Sequence, residues 1–158
     1  MKAASISEIK QELGNLPQKE LVAHCLRMAR YKKENKELLT FLLFESERIP
    51  EYLQSVKQDI DEQMLDINRS NLYLVKKSLR KILRHTNKFI KYTGSDEVAA
   101  ELLIYFCQKV KAEGFKINRS AALTNLYVGQ LKKIESVINE LHEDLRYDYL
   151  KQAEELPL

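Results

Sequence analysis

Apolar residues recur at steps of three and four along most of this chain, which is the spacing of one face of an α-helix. From residue 50 to 67 this stripe consists of Leu53, Val56, Ile60, Met64 and Ile67. A second stripe, in which Thr86 fills one slot, consists of Leu72, Val75, Leu79, Ile82 and Phe89. No segment alternates apolar and polar residues between turn signals, as a half-buried strand does. The pattern therefore predicts an all-α fold.

The tetrapeptide INRS occurs at residues 67–70 and again at 117–120. Each copy lies where one apolar stripe is interrupted and a new one begins. We therefore expect a helix to start after each copy, with its exposed amides capped by Ser70 or Asn68 in the first and by Ser120 in the second. The spacings between other similar segments differ from one pair to the next, which argues against an internal duplication.

These signals predict six or seven helices packed as antiparallel hairpins, in either a compact bundle or a short HEAT-like superhelix. We expect a single domain over residues 1–158. Its predicted parts are N-terminal helices (1–46), acidic, basic and core helices (50–113) and one long C-terminal helix (120–155). Two segments that are apolar on nearly every side are expected to be buried, KENKELLTFLLFE (33–45) and VAAELLIYFCQKV (98–110).

Composition narrows the class of protein. Hydrophobic residues make up 44% of the 158 residues and charged residues 31%, with four glycines and three prolines, which suits a folded helical protein. Cys25 and Cys107 both fall in apolar helical patterns and are expected to be reduced core residues. The chain has neither a signal-peptide-like start nor an apolar run of about 18 residues. We therefore expect a cytoplasmic protein that does not enter a membrane.

The strongest chemical feature is segment 76–92, which contains seven basic residues and no acidic one. The basic residues are Lys76, Lys77, Arg80, Lys81, Arg84, Lys88 and Lys91. At about 100° per residue they fall within an arc of roughly 140° on one side of a helix, and Tyr73 lies on the same side. A stripe of this kind attracts polyanions, and its contacts with phosphates weaken as salt rises.

Two interpretations of this stripe are open at the level of sequence. In the first, it is a binding surface for an anion or a macromolecular partner. In the second, it is either an ordinary solvated face or a face that carboxylates of segment 45–66 and of the C-terminal helix neutralise within the molecule. The formal net charge of only +3 is modest for a dedicated nucleic-acid-binding protein.

Recognisable catalytic and metal-binding motifs are missing from the sequence. The three histidines, His24, His85 and His142, fall in separate predicted helices without a ligand partner at a suitable spacing. The chain contains no CxxC, HExxH, Walker-type or GxGxxG motif. We therefore expect a protein that is not an enzyme and that carries no metal or cofactor.

Two resemblances to known families add to this interpretation. The segment ISEIKQELGNLPQKELVAHCL (6–26) resembles the SAP helix-loop-helix, a DNA-binding motif, although its loop lacks the glycine and lysine of that motif. Residues 5–114 resemble an uncharacterised family of small bacterial all-helical proteins with no assigned activity. This second resemblance rests on KKENKELLTFLLFE, LVKKSLRKILRHTNKFIKYTGS and ELLIYFCQK. It implies a bacterial cytoplasmic helical fold and no catalytic residue.

The sequence therefore predicts a non-enzymatic binding or scaffold protein that contacts a macromolecule through its helix faces. The basic stripe is the first candidate surface and the long final helix is the second. Because the overall charge is nearly balanced, we expect a protein partner or another copy of the chain in preference to nucleic acid. Nucleic-acid binding through residues 76–92, with phosphates gripped by the basic side chains, is the alternative.

Overall fold

A computed structural model describes residues 2–157 and contains helices but no strand within that range. The all-α prediction is confirmed. The described part of the chain forms eight α-helices, α1 (Ile6–Asn15), α2 (Gln18–Tyr31), α3 (Lys33–Thr40), α4 (Ile49–Leu65), α5 (Leu72–Thr93), α6 (Asp96–Ala112), α7 (Ala121–Glu140) and α8 (Glu143–Ala153). A π-helical turn, Phe41–Glu45, follows α3, and a 3₁₀ turn, Ile117–Arg119, precedes α7.

The chain divides into two compact units, Met1–Phe44 and Glu45–Leu158. In the first unit, α2 and α3 pack against each other as a hairpin. The second unit contains α4 to α8. The sequence pattern predicts one domain and does not anticipate this division, although its boundary after residue 46 lies close to it.

Helix α6 forms the core of the second unit, where it contacts α4, α5, α7 and α8. Nine of its residues are buried: Val98, Ala99, Ala100, Leu102, Leu103, Ile104, Phe106, Cys107 and Val110. The burial predicted for segment 98–110 is therefore confirmed. Four helices packed on a central one make a bundle, because the hairpins of a superhelix contact only their neighbours.

Helix α5 begins at a side-chain cap and ends at a glycine. Its cap is a different residue from the ones predicted. The break after Ile67 is confirmed, since α4 ends at Leu65 and α5 starts at Leu72. The cap, however, is Asn71, whose side chain accepts a hydrogen bond from the Leu74 amide at 2.9 Å. Asn68 instead accepts from the Ser70 amide within the loop. At the other end, Gly94 has a left-handed φ of 61° that stops the helix.

The predicted long C-terminal helix is wrong, which is why the helix number exceeds six or seven. The backbone of Leu141 is extended, and α8 starts again after His142. The Arg146 guanidinium donates to the Asn139 and Leu141 carbonyls, which satisfies the end of α7. A straight helix over 120–155 would be about 50 Å long and would overrun α6, whose 17 residues span about 25 Å. The break lets α8 pack on both α6 and α7.

The burial predicted for segment 33–45 is also wrong. Phe41 is buried, but Leu42, Leu43 and Phe44 are more than half exposed. No residue of α1, α2 or α3 is buried in the described chain. Cys25 is likewise exposed, whereas Cys107 is buried as predicted. Periodicity identified these apolar faces correctly, but it carries no information about what covers them.

Substitution by alanine should have opposite effects on the free energy of unfolding at two glycines. Gly129 lies inside α7 with open space around its α-carbon, so Gly129→Ala should raise the free energy of unfolding by about 0.5–1 kcal/mol. Gly94→Ala should lower it by about 1 kcal/mol, because a β-carbon is strained at positive φ. Urea titration of both variants measures the pair. Destabilisation by both, or by neither, would contradict these backbone assignments.

Stability should fall at alkaline pH because of one buried thiol. Burial raises the pKa of Cys107 from 9.0 to about 12. The neutral thiol is thus favoured by folding, and this contribution is present below pH 9 and is lost as pH rises toward 12. The unfolding free energy of the wild type should decrease between pH 8 and pH 10.5. In Cys107→Ala this decrease should be smaller by about 2 kcal/mol. The matched variant Cys25→Ala, at an exposed position, should leave that decrease as it is in the wild type.

Candidate functional site

The seven basic residues of segment 76–92 all lie on α5, on the side that faces away from the buried stripe. Lys77, Arg80, Lys81, Arg84 and Lys91 are exposed, and Lys76 and Lys88 are half-buried. The helix carries no acidic residue in its first turn and a lysine in its last. We call these seven residues the cationic face.

Three carboxylates of α4 have partners outside the cationic face. Asp61 turns instead toward α6, where it lies 2.9 Å from the Lys109 ammonium and accepts a 2.7 Å hydrogen bond from the Tyr105 hydroxyl. Asp59 and Glu62 accept hydrogen bonds from glutamines one turn away on α4 itself.

Among residues 2–157, no carboxylate comes within ion-pair distance of six members of the cationic face. These six are Lys76, Lys77, Arg80, Lys81, Arg84 and Lys91. Of the two interpretations that the sequence left open, internal pairing with the acidic helix therefore does not describe these six side chains.

Helix α7 extends the cationic face with a lysine that sequence reasoning missed. Helices α5 and α7 are in contact, and the Lys133 ammonium donates a hydrogen bond to the Asn87 amide oxygen of α5. Desolvation and repulsion by the Lys91 charge lower the pKa of Lys133. The sequence shows the pair Lys132–Lys133, but Lys133 belongs to the site only because α7 contacts α5 in the folded chain.

Aromatic side chains contribute to this surface at one end. Tyr73 is 66% exposed at the start of α5, and the Lys76 ammonium lies 5.3 Å from the centre of its ring. Tyr92, in the last turn of α5, is half-buried with its ring edge-on to that of Phe89. Tyr73 is therefore the aromatic side chain that presents an open surface beside the cations.

A second cluster of polar side chains lies between α4, α6 and α8, and its members pair with one another. Lys57 pairs with Glu101 at 2.6 Å, and Glu101 also accepts a hydrogen bond from Tyr149 at 3.4 Å. The ammoniums of Lys57 and Lys109 lie 5.2 and 5.1 Å from the centre of the Tyr105 ring. Burial, followed by the Asp61 hydrogen bond, raises the pKa of Tyr105. These contacts fasten α4 and α8 to the polar edge of α6, which is a structural role.

The three histidines are not brought together. His24 lies on α2, His85 on α5, and His142 caps α8, where it contacts Asp144 at 3.3 Å. Over residues 2–157 no three histidine, cysteine or acidic side chains cluster so as to hold a metal ion. Nor does any described helix combine the length and the apolar character needed to cross a membrane.

Comparison of the chain with models of known protein families, with curated proteins and with solved structures gives no match. The resemblances to the SAP motif and to a bacterial helical family therefore stay predictions based on the sequence segments that carry them.

The repulsion between the Lys91 and Lys133 charges leads to a specific prediction. Because the Lys91 charge is one cause of the lowered pKa of Lys133, Lys91→Gln should raise that pKa. Lys77→Gln, at the other end of α5, should leave it unchanged. An NMR titration of the lysine ε-carbons, with Lys133 assigned by substitution, measures both. An equal response to the two variants would mean that α5 and α7 do not meet at this point.

Proposed function

We propose that this protein is a non-enzymatic binding protein whose cationic face, extended by Lys133, contacts the phosphates of a nucleic acid. The observation that carries the proposal is a row of six cations on α5 that have no carboxylate within ion-pair distance among residues 2–157, namely Lys76, Lys77, Arg80, Lys81, Arg84 and Lys91. Unpaired cations on one face create a positive potential that attracts polyanions and accelerates their association.

The linear density of charge supports a nucleic-acid backbone as the partner. From Lys76 to Lys91 the helix axis advances about 22 Å, so the seven cations follow one another about every 4 Å. One strand of DNA carries a negative charge about every 3.4 Å. A strand that lies along α5 can therefore place successive phosphates near successive side chains. Tyr73, at the start of the row, offers a ring on which a base can stack.

The composition of the cationic face also distinguishes the two classes of partner. Five of its seven residues are lysines, which are depleted in the centres of protein–protein interfaces. Such interfaces depend on a few buried aromatic or arginine side chains, whereas the cationic face offers one exposed aromatic at its edge. For this surface we therefore favour nucleic acid, which was the alternative at the level of sequence, over a protein partner.

The modest net charge does not argue against this proposal once the charges are assigned to the two units. The unit Glu45–Leu158 has 18 basic and 18 acidic residues, so its formal charge is zero, yet α5 alone carries seven positive charges and no negative one. Charge in this unit is therefore segregated rather than absent.

The proposal predicts salt-dependent binding that depends on α5. Fluorescence anisotropy should show that labelled RNA or duplex DNA binds at low salt, with log Kd changing by about 0.9 per decade of salt for each phosphate contacted. The triple variant Lys77→Gln, Arg80→Gln, Arg84→Gln should weaken binding at least about tenfold and reduce that slope by about 3.

A matched control variant distinguishes an effect of the cationic face on binding from an effect of net charge alone. Lys10→Gln, Lys116→Gln and Lys151→Gln remove the same charge at exposed positions outside α5, and binding should change little. Equal losses in the two triple variants would contradict the proposal. Retention on an acidic polypeptide, without retention on nucleic acid at low salt, would overturn it in favour of an acidic protein surface.

A further inference from the structure

Exposed apolar side chains are concentrated in the first unit. Of the 16 large hydrophobic residues that are exposed in the described chain, 11 lie within Met1–Phe44. The much longer second unit exposes the other five, scattered over four helices. Monomeric proteins seldom leave a contiguous apolar surface of this kind uncovered, and a unit of this size rarely builds a sufficient core alone.

The hairpin of α2 and α3 explains why so much apolar surface is left over. At 100° per residue the apolar side chains of α2 span an arc of about 160°, which is wider than one neighbouring helix can cover. Ala29, near the middle of the arc, and Leu21 are half-buried. Met28 at one edge of the arc and Leu26 at the other are exposed. The hairpin thus has two open flanks.

The two flanks differ in charge. One is a shallow groove of about 140 Å³ whose lining contains no charged residue; we call it the uncharged groove, and it is formed mainly by Cys25, Met28, Leu38 and Leu42. The polar group at its edge is satisfied, since the Asn35 amide donates to the Met28 carbonyl at 2.9 Å. The groove on the opposite flank is rimmed by four basic residues, Arg30, Lys32, Lys33 and Lys36.

We propose that two copies of this chain associate through their uncharged grooves to form an antiparallel four-helix arrangement. A groove without charge can face its own copy across a two-fold axis without burying an unpaired charge. The basic-rimmed groove cannot do so, because the same lysines would meet each other. Helical hairpins that pack in pairs in this way are a standard route to a four-helix bundle.

The distribution of charge along the hairpin selects the antiparallel orientation. Residues 27–36, around the loop, contain five basic residues and one acidic residue. Two parallel hairpins would place these clusters side by side. Antiparallel hairpins that meet at this groove, which lies about five residues from the loop along α2, separate the two loops by roughly 15 Å, which is beyond the Debye length of about 8 Å at physiological salt.

The size of the surface sets the expected strength. A face two helices wide and about 21 Å long covers on the order of 400 Å² in projection, compared with about 800 Å² per partner in a standard interface. We therefore expect a reversible dimer with a dissociation constant in the micromolar range.

Sedimentation equilibrium without nucleic acid tests the proposal independently of the proposed function. Between about 1 and 500 µM, a range that brackets micromolar dissociation constants, the mass should rise from 18.5 kDa toward twice that value. Met28→Asp should keep the chain monomeric, because a pair of carboxylates would face each other in the interface. The matched control Leu65→Asp, at a 79% exposed position of α4, should dimerise like the wild type. Circular dichroism checks that both variants fold.

A wild-type chain that stays at 18.5 kDa at the highest concentration would overturn the proposal. So would equal dimerisation of Met28→Asp and Leu65→Asp. Loss of the dimer in Leu26→Asp, which alters the basic-rimmed groove, but not in Met28→Asp would place the interface on the opposite flank and would also overturn it.

Thiol reactivity gives a second readout without any substitution in the interface. Cys25 is exposed and lines the uncharged groove, whereas Cys107 is buried and its pKa is raised to about 12. A thiol reagent should therefore modify one cysteine per folded chain, and the rate should fall several-fold as the protein concentration rises through the dissociation constant. A rate independent of concentration would contradict a groove-to-groove dimer.

Discussion

The burial of α6 is the constraint on which the second unit depends. A helix that is apolar on most sides must be covered on most sides, so α4, α5, α7 and α8 all present their apolar stripes to it. Its remaining polar edge, Glu101, Tyr105 and Lys109, is satisfied by side chains of α4 and α8. The chain end is held by the same helix, since Lys111 donates to the Glu155 and Pro157 carbonyls. With its apolar stripe committed to α6, α5 must direct its cations outward.

Features written in local sequence were predictable. The cap Ser120 lies where the sequence placed it. The capping box of Ser5 and Glu8, the cap Ser95 and the stop at Gly94 are local signals of the same kind. The arc of the cationic face also follows from spacing alone, because helical periodicity fixes which side chains share a side. The cap of α5 was predicted at Ser70 or Asn68 but is Asn71, since all three are good capping residues and spacing does not separate them.

Features that depend on contacts between helices were not predictable from the sequence. Residues 141, 145 and 149 continue the apolar spacing of α7, yet the backbone of Leu141 is extended, and α8 starts after His142 and packs on both α6 and α7. One interpretation of the sequence paired the acids of α4 with α5, but Asp61 instead contacts Lys109 and Tyr105 on α6. Lys133 joined the site through a contact between α5 and α7 that no single-helix pattern contains. In each case the deciding partner lies on another helix.

Segregation of charge is what allows a nearly neutral unit to present a strong local field. The axes of packed helices lie about 8–10 Å apart, so exposed charges on different helices are in general separated by about the Debye length of 8 Å or more. Carboxylates at that distance are largely screened and cancel little of the potential over α5. A polyanion that approaches the cationic face therefore experiences α5 and Lys133 rather than the net charge of the unit. At Lys133, whose pKa is lowered by burial and by Lys91, an incoming phosphate would also relieve the repulsion between the two lysines.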